Sequence, residues 1–163
     1  MNNIKLFIAA LLLPLTAAAQ TVTSPNGNVS LTFSLTGNGV PTYEMKYKNR
    51  EVVKPSHLGL ELAKDKHASK GLHETSLMDG FTVTSTKTST FDETWTPVWG
   101  QYGKIRNNYN ELAVNLTQPS RSRRMTIRFR LYNIGFGLRY EFPQQESLVY
   151  FVIKDEHTQF AMT

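Results

Sequence analysis

Apolar and polar residues alternate along most of the chain. Val29, Leu31, Phe33 and Leu35 interleave with Ser30, Thr32 and Ser34, which gives a strand with one apolar face. Thr36-Gly37-Asn38-Gly39 breaks it. Tyr43, Met45 and Tyr47 mark the next strand, and Lys48-Asn49-Arg50 reads as a turn into Val52-Val53, a hairpin. Leu58, Leu60 and Leu62 form another alternating set. Residues 64–79 mix Lys, His, Ser and Gly and read as a long loop, a kind that is usually functional or packed against something else. Phe81 and Val83 open a Thr/Ser-rich strand running to about Phe91. Leu112, Val114 and Leu116 make a further strand, and Met125, Ile127, Phe129 and Leu131 another. Asn133-Ile134-Gly135 then turns the chain into Phe136, Leu138, Tyr140 and Phe142, so the last two strands form a hairpin sharing one apolar face.

No stretch beyond the first 19 residues shows an apolar period of 3.6. Each half-buried strand can hide its apolar face only against a second sheet. The pattern therefore predicts an all-β antiparallel sandwich from residue 25 onward. No internal repeat and no low-complexity linker divides it.

The start of the chain follows another rule. Asn2, Asn3 and Lys5 precede an apolar run from Leu6 to Leu15, and Ala17, Ala18 and Ala19 supply small residues for cleavage. This is the pattern of a secretory signal over residues 1–19, with Gln20 as the mature start. The run is too short for a bilayer, which takes ~20 residues. The domain is then residues 20–163, and export to a bacterial periplasm is expected. The chain has no cysteine, so its stability rests on core burial rather than disulfides. The formal charge of +5 is mild, and in an exported protein it reads as solubility, not nucleic-acid binding. The final apolar residues, Phe160, Ala161 and Met162, read as an interrupted domain whose unpaired sheet edges would make the isolated chain poorly soluble.

Candidate chemistry is sparse. His57, His67, His73 and His157 lack a metal-binding helical spacing. His157 follows Asp155 and Glu156, but adjacent strand residues face opposite ways, so a surface role is expected. There is no nucleophile elbow, and Gly135-Phe136-Gly137 reads as hairpin chemistry. Asp92, Glu93 and Glu111 are carboxylates without a readable spacing across a glycosidic bond. Arg124, Arg128 and Arg130 share the face opposite Met125, Ile127 and Phe129, as an anion stripe, a solvated face or half of an ion network.

Residues 91–116 stand apart. Trp95 and Trp99 lie close to Tyr102 and Tyr109, beside Arg106, Asn107, Asn108, Asn110 and Glu111. Aromatic platforms next to such groups suit sugars, since pyranose faces stack on rings and hydroxyls need donors and acceptors. The same set suits a domain interface, where Trp, Tyr and Arg are enriched. The candidate sugar or interdomain contacts are thus Trp95, Trp99, Arg106, Asn107, Tyr109, Asn110 and Glu111.

Phe-Asp-Glu-Thr-Trp-Thr-Pro-Val-Trp-Gly (91–100) followed by Ile-Arg-Asn-Asn-Tyr-Asn-Glu-Leu-Ala-Val (105–114) resembles the N-terminal domain of glycoside hydrolase family 97. So do Lys-Pro-Ser-His-Leu-Gly-Leu-Glu-Leu (54–62), Arg-Tyr-Glu-Phe-Pro-Gln-Gln (139–145) and Tyr-Phe-Val-Ile-Lys-Asp-Glu-His (150–157), with the α-glucosidase branch most similar. The resemblance implies a galactose-mutarotase-like β-super-sandwich, here incomplete, in front of a catalytic barrel that is the domain's partner. It also implies α-linked oligosaccharide substrates for the whole enzyme, and calcium near its active site. The family's catalytic and metal residues match no position of this chain.

Overall fold

The computed structural model describes residues 19–64 and 75–163. The expected signal, apart from Ala19, lies outside these residues, as do His67, His73 and most of the loop expected at 64–79.

The strands follow in chain order as β1 (Gln20–Thr23), β2 (Val29–Leu35), β3 (Pro41–Tyr47), β4 (Arg50–His57), β5 (Leu60–Leu62), β6 (Ser76–Leu77), β7 (Thr82–Trp95), β8 (Ile105–Gln118), β9 (Arg123–Tyr132), β10 (Gly135–Glu141) and β11 (Ile153–Glu156). Among the described residues there is no α-helix, only two 3₁₀ turns at Pro119–Arg121 and Glu146–Leu148. Among the described residues all strand pairings are antiparallel. One sheet runs β1-β2-β3-β4, a second β10-β9-β8-β7, and a third β11-β5-β6.

The expected alternation carries the core. Val29, Leu31 and Phe33 of β2 and Met125, Ile127, Phe129 and Leu131 of β9 are all buried. Phe129 lies 6.1 Å from the rings of both Phe33 and Tyr43, which joins the two four-stranded sheets face to face. Leu58, Leu60, Leu62 and Leu77 extend the same cluster. Each such side chain contributes about 1.5–3 kcal/mol on full burial. The fold is an antiparallel β-sandwich.

The β3–β4 hairpin closes through Lys48 and Asn49, with φ of 47° and 64°. Two left-handed residues in succession match the twist of the paired strands, and Asn tolerates that conformation well.

Two readings of the sequence need correction. Ser76 and Leu77 form a short strand inside the expected loop, with Leu77 opposite Leu60 and fully buried. The strand starting near Phe81 continues to Trp95 rather than ending near Phe91. Its residues from Thr84 onward are exposed on both faces, so no apolar alternation marks it.

Candidate functional site

β7 and β8 form a long two-stranded ribbon, paired from Thr82 opposite Thr117 to Trp95 opposite Ile105. At its root, Leu112, Val114 and Leu116 face the core. Beyond the paired arms the connecting residues 96–104 carry an apolar surface. Trp95 is 47%, Val98 100%, Trp99 88% and Tyr102 68% exposed. Such large rings in solvent are costly unless something covers them.

Arg106 braces the arms. Its Nε and Nη2 donate to the two Asp92 carboxylate oxygens at 2.8 and 2.6 Å. This fork holds the Asp92 carboxyl below its usual range, chiefly through the hydrogen bonds from Arg106. Asn107 sits opposite Glu93 and is partly buried. Asn110 Nδ2 donates to the Thr23 carbonyl at 2.8 Å, which ties the ribbon to β1.

Tyr109 and Glu111 belong to a different environment, the outer face of the second sheet. Tyr109 is 7% exposed. Phe91 stacks on it at 5.2 Å, Tyr132 tilts against it at 5.4 Å, and the Arg130 guanidinium sits 4.5 Å from its ring. Glu111 accepts from Arg130 Nε at 2.7 Å and from Arg128 Nη1. Arg128 also donates Nε and Nη2 to Glu141, both at 2.8 Å, and Arg139 pairs with Glu141 as well. Arg128 and Arg130 of β9 are therefore half of an internal ion network, with their charge largely met by Glu111 and Glu141, whereas Arg124 Nη2 donates to the Gln144 carbonyl at 3.0 Å. The seven residues expected to act together fall into two groups. Trp95, Trp99, Arg106 and Asn107 lie toward the ribbon's end, and Tyr109, Asn110 and Glu111 lie nearer its root.

Glu111 and Glu141 are bridged by one guanidinium, which sets their chemistry. Burial pushes the Glu111 carboxyl up, but hydrogen bonds from Arg130 and Arg128 outweigh it and hold it below the usual range. Arg128 does the same for Glu141. A glycosidase acid needs a raised pKa, so this pair is poorly suited to donate a proton.

Sequence reasoning overlooked a third cluster. Asp155 of β11 stands opposite Glu61 of β5. The His157 Nε2 lies 3.8 Å from the Glu61 carboxylate. The imidazole thus meets a carboxylate across the sheet rather than its neighbour Glu156. No signal could have found this, because 94 residues of sequence separate Asp155 from Glu61 and the register is set by the fold. These groups do not fit calcium. They offer two carboxylates and an imidazole, whereas calcium takes six to eight oxygens. Among the described residues no helix is long and apolar enough to cross a membrane.

Comparison with known proteins gives this geometry a context. Residues 22–163 match the family model described as Glycosyl-hydrolase 97 N-terminal. A Glycoside Hydrolase Family 97 enzyme from Pseudoalteromonas sp. strain K8, solved in complex with acarbose, superposes with a TM-score of 0.76 at 29% identity. The match covers 88% of this chain and 20% of that one. A structure from the same organism in complex with panose matches equally. A beta-arabinopyranosidase shares the fold, with a TM-score of 0.75 at 17% identity over 88% of this chain and 21% of its own. The chain thus spans about a fifth of the length of the enzymes it matches, and it belongs to the N-terminal domain family of glycoside hydrolase 97.

Proposed function

We propose that this chain is the non-catalytic sandwich of an exported, periplasmic glycosidase acting on starch-derived α-glucosides, and that it supports the enzyme's catalytic barrel. The observation that carries the reading is the exposed end of the ribbon, where Trp95, Val98, Trp99 and Tyr102 gather without cover. Aromatic rings of this kind anchor interfaces. The α-glucoside class is supported by the acarbose and panose bound to the Pseudoalteromonas enzyme. Reading the source DNA onward from the codon for Thr163 tests the proposal. An open frame encoding a barrel with carboxylates near its strand ends is expected. An in-frame stop directly after Thr163 overturns it.

The same exposed indoles favour a second reading, in which the ribbon stacks on α-glucan. Titration of the chain with maltooligosaccharides then quenches tryptophan fluorescence, and Trp99→Ala abolishes the response without unfolding. An unchanged spectrum in the wild type ends this alternative.

A further inference from the structure

The β5–β11 pair places two like charges side by side. Asp155 and Glu61 are directly opposite in register, an arrangement that is destabilising without a counter-charge. One is supplied locally. Lys154 Nζ lies 3.2 Å from Glu61 Oε1 and 3.5 Å from Asp155 Oδ2. His157 joins the group from the residue after β11. Its backbone N–H donates to the Gly59 carbonyl at 2.9 Å, which fixes its position against β5. The site thus combines an imidazole, two carboxylates and a cation already drawn in. Ligand atoms from Glu61, Asp155 and His157 all lie within 4.8 Å of one another.

We propose that Glu61, Asp155 and His157 form a binding site for a divalent transition-metal ion of the zinc type, with Lys154 as its built-in competitor. The imidazole nitrogen favours a transition metal such as zinc, carboxylate oxygens also ligate zinc, and three protein donors leave a fourth position open. Zinc–ligand bonds of about 2.0–2.2 Å in a tetrahedron put donor atoms about 3.3 Å apart. The 3.8 Å between His157 Nε2 and Glu61 is close to that spacing, so small side-chain rotations close the site. The antiparallel pairing, with a register irregularity between Ile153 and Asp155, sets Asp155 directly opposite Glu61. The fourth position is left to water or to a donor from a docked partner. Lys154 and zinc compete for the same oxygens, so metal entry swings the ammonium out to solvent, where its side chain is already 56% exposed.

Zinc titration of the untagged full chain by calorimetry tests this, with cobalt as a spectroscopic substitute. One zinc site is expected, with visible cobalt bands and no response to calcium or magnesium. His157→Ala and Glu61→Gln each weaken zinc at least ~10-fold and remove the bands. Lys154→Ala tightens binding about fivefold, the factor a unit charge at that range supplies in water. All three side chains are partly exposed, and far-UV circular dichroism checks that the variants fold. The proposal is overturned if neither the wild type nor Lys154→Ala binds zinc. It is equally overturned if His157→Ala binds zinc as tightly as the wild type, or if calcium binds as well as zinc.

Discussion

Arg128 holds the outer face of the second sheet together, and replacing it with methionine isolates that role. Met keeps an unbranched stem against the sheet and removes three charge-assisted hydrogen bonds, one to Glu111 and two to Glu141. The side chains of Arg128, Glu111 and Glu141 are 25%, 10% and 28% exposed, so the network lies between surface and interior. Breaking a buried pair costs about 3–5 kcal/mol, and an exposed pair is worth about 0–1 kcal/mol. Glu111 retains Arg130 and Glu141 retains Arg139. The expected loss at neutral pH is therefore ~2 kcal/mol, between those limits. For a chain of this size that lowers Tm by roughly 4–8 °C.

The pH dependence follows from the carboxyls. Both Glu111 and Glu141 titrate lower in the folded protein than their ordinary value. Their contribution is complete above the unfolded glutamate pKa, about 4.3, and is lost as pH falls through the folded value. The deficit of Arg128→Met is thus full at pH 7 and shrinks below about pH 4. Urea unfolding of dilute wild type and variant, from neutral pH to the lowest pH at which the wild type stays folded, measures it. A deficit that stays constant across that range would refute the assignment of the stabilisation to these two carboxylates.

Two further substitutions probe the sandwich itself. Phe129→Ala removes the ring that meets Phe33 and Tyr43 between the sheets, and denaturant unfolding is expected to show a loss of about 3–5 kcal/mol. Gly39→Ala is expected to cost more than the ~1–2 kcal/mol of a left-handed residue alone. Gly39 has φ of +70°, and an added Cβ would meet the Phe81 backbone nitrogen and oxygen at 2.5 Å. A thermal melt of Gly39→Ala within a degree of the wild type would contradict that contact.

The parts legible in the sequence are those where one face is buried and the other is not. Leu31 and Phe33, or Ile127 and Phe129, face the core at every second position, and period-2 alternation is the direct trace of that burial. β7 beyond Val83 leaves no such trace, because neither of its faces is covered. Its extension was hidden although the Trp95–Trp99 segment was recognisable as unusual. Leu77 was hidden for another reason, since a two-residue strand is too short to show a period. The grouping of Tyr109 with Arg130, and of Glu61 with Asp155 and His157, depends on which strands pair and in what register. That information arises only when the sheets assemble.

The seal along β4 carries a consequence for the order of events in biosynthesis. Lys54 N–H donates to the Ala161 carbonyl, Ala161 N–H donates to Ser56 Oγ, and Val53 bridges to Met162. The first sheet can form its other pairings as soon as β4 is made, but this edge must wait for residues more than a hundred positions later. At ~5–20 residues per second that interval is roughly 5–20 s. A nascent chain therefore carries an open strand edge from the completion of β4 until residues 161 and 162 have been made. Holding the chain unfolded until residue 162 has been made would remove that exposure, because both halves of the seal would then be available at once.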